Sequence, residues 1–98
     1  MKPTSTDIVI ATIKVCLRQS QQIAKNFYDN PLEQRSYSEW AMNEIIERLL
    51  QNSRTPPLMV IEEFRDQMND FSCINPITSY IFSCAKDTAE WIIDLLIA

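Results

Sequence analysis

The longest stretch of periodic apolar positions in the chain is PITSYIFSCAKDTAEWIIDLLI, from Pro76 to Ile97, with no helix breaker after Pro76. Thirteen of the twenty-one residues from Ile77 to Ile97 are apolar. One helical stripe runs Ile77, Ile81, Cys84, Thr88, Trp91, Leu95. A second runs Phe82, Ala85, Ala89, Ile93, Leu96, roughly a third of a turn away. Lys86, Asp87, Glu90 and Asp94 leave only a thin polar strip between them. A helix on a protein surface needs one apolar stripe, so two predict a wide buried face. Such a helix is either central in the fold or covered on a second side by another chain. Trp91 is expected in the core.

The rest of the chain punctuates itself at proline. The Thr4, Ser5, Thr6, Asp7 cluster offers N-caps after Pro3, and the spacing predicts a first helix over 6–28. Its stripe is Val9, Ile13, Cys16, Ser20, Ile23, Phe27, widened by Ile10, Leu17 and Ala24. The β-branched run Ile8-Val9-Ile10 is compatible with a strand, but the 3.6 period continues for five turns. Asp29-Asn30-Pro31 ends this helix, because the residue before proline avoids the α region, and 29–35 reads as a polar loop. Ser36 and Glu39 have capping-box spacing, which predicts a second helix over 37–52 with the stripe Met42, Ile45, Leu49. Thr55 before Pro56 starts a third over 56–71, with Ile61, Phe64, Met68 and Phe71 on its inner face. Asn75 before Pro76 starts the fourth, over 76–97. Four amphipathic helices on short connections predict an all-α fold, an antiparallel four-helix bundle forming one domain over 1–98.

Composition adds what is missing. The 98 residues contain no Gly and no His, which excludes glycine-rich phosphate loops and removes the commonest general base and metal ligand. Cys16, Cys73 and Cys84 are an odd number without C-x-x-C spacing, as in a reduced, cytoplasmic protein. The polar N-terminus MKPTSTD is unlike a secretory leader, and the charges of the last helix interrupt any membrane span. Net charge is −4, unevenly placed. Residues 1–28 carry four Lys/Arg against one Asp, a net of +3, and residues 29–98 carry five against twelve Asp/Glu, a net of −7. That balance suits a basic first helix beside acidic neighbours. It disfavours nucleic acid, whose phosphates need a basic footprint; contact through Lys2, Lys14, Arg18 and Lys25 would require dimerisation to gather those residues.

Three groups of residues are candidates for chemistry. Glu62, Glu63 and Asp66 form an E-E-x-x-D pattern on the third helix, and Asp87, Glu90 and Asp94 share one side of the fourth. Carboxylates brought together across two helices are the donor set of a Mg²⁺ site. The pattern distantly resembles the all-α nucleotide pyrophosphohydrolases, including the MazG-like family, whose metal sites combine E-E-x-x-E on one helix with E-x-x-D on a later one. Asp66 here replaces the last Glu, and the second element is reversed, Asp87-x-x-Glu90. The resemblance covers Val60 to Asp94 and implies Glu62, Glu63, Asp66, Asp87 and Glu90 as ligands. Among the thiols, Cys73 beside a loop is expected to be exposed and Cys16 and Cys84 to be core residues. Trp40, Trp91, Tyr37 and Tyr80 are anchors for a core or for an interface.

The expected function is a non-enzymatic helical interaction module, an adaptor, regulator or inhibitor of a protein partner. It is expected to need no cofactor and to form a homodimer, or bind another protein, through the C-terminal helix. Phe82, Ala89, Ile93 and Leu96, with Trp40, are the expected contact residues. The alternative is a Mg²⁺-dependent phosphohydrolase using the carboxylates above.

Overall fold

The computed structural model describes the backbone of residues 5–27, 31–74 and 79–97, and the side chains of 5–19, 37–74 and 79–97. Four α-helices account for nearly all of it: α1 Thr6–Phe27, α2 Pro31–Gln51, α3 Pro57–Ile74 and α4 Ser79–Ile97. Among the described residues there is no strand. The radius of gyration, 13.4 Å, is close to the roughly 13 Å of a compact chain of this length.

Local chemistry explains the ends. Ser5 is the N-cap of α1: its Oγ accepts from the Ile8 N–H at 3.3 Å and its carbonyl from the Val9 N–H at 3.1 Å. α3 begins one residue later than Thr55 as cap would place it. Pro56 is the cap, its carbonyl accepting from Met59 and Val60, and Pro57 takes the first helical position, where a missing N–H costs nothing. At the end of α2, the Arg48 carbonyl accepts from both the backbone N–H of Asn52, at 3.0 Å, and its side-chain amide, at 2.7 Å.

The largest departure from expectation is the start of α2. Residues 31–35, read as loop, are helical, and Ser36 lies inside the helix rather than capping it. In the sequence Pro31 reads as a stop for the first helix, yet proline at a first helical position also starts one. No breaker separates Pro31 from the periodic apolar residues that follow. α3 likewise continues to Ile74, three residues past Phe71. Tyr28, the Asp29-Asn30 pair and 75–78, including the expected start of the last helix at Pro76, lie outside the described residues.

All four helices contribute to one apolar core. α1 buries Val9, Ile13 and Cys16, α2 buries Met42, Ile45 and Leu49, and α3 buries Ile61, Phe64 and Met68, as the stripes predict, but Phe71, expected on the inner face of α3, is exposed near its end. Burying a large side chain of this kind is worth about 1.5–3 kcal/mol. α4 differs: it buries Ala85, Ala89 and Ile93 of the second stripe together with Thr88 and Ile92, and turns Trp91 and Leu95 of the first outward. Ala85 and Ala89 are fully buried; such small side chains permit close approach of the backbones. Trp91, expected in the core, is instead 38% exposed, and Leu95 45%. With apolar residues all round, periodicity could not choose which part of α4 faces inward.

The packing is also not organised around α4. α3 pairs most extensively with α4, and α1 with α2; α2 packs further on α4 and, less, on α3. The described part of α1 makes only marginal contact with α3 and α4. α2 is therefore the helix shared by both halves.

Candidate functional site

The α2–α4 seam contains a polar clip. The Thr88 hydroxyl donates to the Cys84 carbonyl at 2.8 Å, and Ser38 Oγ lies 3.1 Å from Thr88 Oγ1. Thr88 has one proton, committed to the carbonyl, so Ser38 is the donor across the seam. Thr88 is only 7% exposed, so its lone pair has little access to water. A double-mutant cycle of Ser38→Ala and Thr88→Val is expected to give a coupling of about 0.5–1.5 kcal/mol. A coupling of zero in urea unfolding would show that the two hydroxyls stabilise the fold independently. Aromatic contacts flank the clip and its neighbours. Tyr37 and Tyr80 meet edge-on at 5.8 Å, and Phe71 and Phe82 meet at a tilt, 5.3 Å apart. Trp40 leans on the buried Phe64 at 6.3 Å, and the Arg48 guanidinium sits 5.0 Å over the same ring.

The five candidate metal ligands are not brought together. Glu63, Asp66, Asp87 and Glu90 are exposed and Glu62 is half-buried. Among the described residues, no group of three His, Cys, Asp or Glu side chains could hold a metal ion. The packing gives the reason: α3 and α4 join through Ile61, Phe64, Met68 and Ala85, Ala89, Ile92, which leaves the carboxylates on outer faces. Asp66 pairs with its neighbour Arg65 at 3.1 Å. A magnesium ion demands near-octahedral oxygen ligands, and this donor set does not fit one.

The thiols separate by burial. Cys73 is exposed and Cys16 buried, as expected, but Cys84, expected in the core, is only half-buried. Burial pushes the Cys16 thiol above its ordinary value, only partly opposed by a backbone hydrogen bond, and thiolate is the reactive form. With a disulfide reagent at neutral pH, Cys73 should react first and Cys16 only on unfolding. A fast phase that survives Cys73→Ser would overturn that order.

The expected contact residues also move. Ala89 and Ile93 are buried, and Phe82 and Leu96 pack against the chain's own core. That face is inward, and only Trp40 of the set is exposed. The apolar side chains that α4 turns outward are Tyr80, Trp91, Leu95 and Ile97. Trp91 and Leu95 belong to the stripe Cys84, Thr88, Trp91, Leu95, with its alternating three- and four-residue spacing. α2 bonds this stripe at Thr88, and the two residues beyond it stay in solvent. The signal for them was present in the stripe, but not its orientation. No helix among the described residues is long and apolar enough to cross a membrane. No protein-family model matches the chain, and neither a curated protein nor a solved structure matches it.

Proposed function

We propose that the chain is a small non-enzymatic helical interaction module of the cytoplasm, which self-associates through α4. The observation that carries this reading is the pair Trp91 and Leu95, large apolar side chains on successive turns of one helix with about four-tenths of their surface in water. Trp is among the residues most enriched at the centres of protein interfaces, and heptad-like spacing suits a partner that is itself a helix. The short connections between helices, five residues from Asn52 to Pro56 in the case of α2 and α3, favour antiparallel neighbours.

Sedimentation velocity tests the proposal. The wild-type chain, of 11.4 kDa, is expected to sediment as a dimer at about 50 μM, a concentration that detects affinities near −6 kcal/mol. Leu95→Glu should give a folded monomer with unchanged helical circular dichroism. A monomeric wild type at that concentration would remove the self-association reading.

A further inference from the structure

α1 and α4 carry the same surface layout with opposite charge. On α1, Ile8 and Val15 form an outward apolar line, 59% and 49% exposed and two turns apart. Lys14 and Arg18 are exposed beside it. Asp7 shares that flank, in the first turn where it complements the helix dipole, and the flank remains net positive. On α4, Trp91 and Leu95 form the line, and Asp87, Glu90 and Asp94 are exposed beside it. At about 100° per residue, the charged flank lies on the same side of the apolar line in both helices. Within one chain the described part of α1 barely touches α4, so neither line is occupied by the other.

We infer that α1 of a second copy is what covers the outer face of α4. Because both flanks lie on the same side, only an antiparallel alignment sets Lys14 and Arg18 of one copy against Asp87 and Asp94 of the other. A parallel alignment would place the two flanks on opposite sides of the contact. The arrangement is reciprocal: each chain offers one basic and one acidic helix, so a two-fold axis closes the pair with two equal contacts. Packing α4 antiparallel on its own copy would instead gather the carboxylates of both chains, and like charges in an interface oppose association. This inference rests on the self-association proposed above and specifies its partner surface.

Charge exchange tests it. Lys14→Glu with Arg18→Glu makes both outer helices acidic, and Asp87→Lys with Asp94→Lys makes both basic. All four positions are exposed, so each variant should keep wild-type circular dichroism. In sedimentation velocity at about 50 μM, each variant alone is expected to associate at least about tenfold more weakly than wild type, and their equimolar mixture to recover the dimer. Raising salt from about 20 to 500 mM should weaken the wild-type dimer about tenfold, because the screening length shrinks to a few Å. A mixture that stays monomeric overturns the inference. If both charge variants stay dimeric while Leu95→Glu dissociates, α4 is a contact but α1 is not its occupant, so this inference fails and the self-association reading stands. A monomeric wild type removes both.

Discussion

Phe64→Ala should be the most damaging single truncation, costing about 3–5 kcal/mol. Phe64 is fully buried, and its ring on α3 takes two side chains of α2. Trp40 of α2 leans on it, and the Arg48 guanidinium lies over its face. Arg48 is also drawn toward Glu44, four residues earlier, at 3.4 Å, which holds the cation above the ring. Truncation therefore removes a core side chain, leaves a cavity, and strips the cation–π and aromatic contacts joining α2 to α3. A domain of this size has a total stability of about 5–15 kcal/mol, so the variant should be partly unfolded near 37 °C. Phe64→Leu, which keeps most of the volume, should lose less than half as much. Urea unfolding followed by circular dichroism reads both; a loss below about 1 kcal/mol for Phe64→Ala would show that the site collapses without cost.

Ile93→Glu should unfold the chain rather than release a folded monomer. Ile93 is 8% exposed and lies in the same cluster as Ala89 and Ile92. A carboxylate introduced there would enter the apolar cluster, and a buried charge costs several kcal/mol. Leu95→Glu, two residues away on the outer side, should leave the helical signal intact. The contrast between these two variants separates the inner and outer faces of α4 in one experiment. If Ile93→Glu retained a cooperative unfolding transition at wild-type denaturant, Ile93 would be a surface residue. Trp91→Ala should cost less than Phe64→Ala, because part of the indole is already in water.

Much of the fold was legible from spacing. The inner stripes of α1, α2 and α3 could be read from the sequence because each helix has one dominant apolar stripe, longer than the Ile8 and Val15 pair that α1 turns outward. Residues such as Ile13, Ile45 and Ile61 have no alternative face on which to be buried. The helix ends were less legible where one residue serves two purposes. Pro31 follows one helix and opens the next, and both uses obey the same constraint on the backbone. The exposure of Cys73 followed from its place near a helix end, and the burial of Cys16 from its place on a stripe.

The candidate sites were less legible, because they depend on which surfaces meet. E-E-x-x-D on α3 and the carboxylates of α4 are a ligand set only if two helices rotate them toward a common point. Spacing along a helix places residues on one face but does not orient that face in the fold. The joining of α3 to α4 through Phe64, Met68, Ala85 and Ala89 turned those carboxylates outward.

The helical class, the inner faces of three helices and the opposite charges of the two ends of the chain each follow from periodicity or composition within a segment. Tertiary structure alone decided the rotation of α4, the burial of Ile93 in place of Trp91, and the role of α2 as the shared helix. α4 is apolar on more than one side, so its local energy is nearly the same for several rotations. The choice fell to the neighbours: Ala85 and Ala89 let the backbones approach, and Thr88 meets Ser38 across the seam.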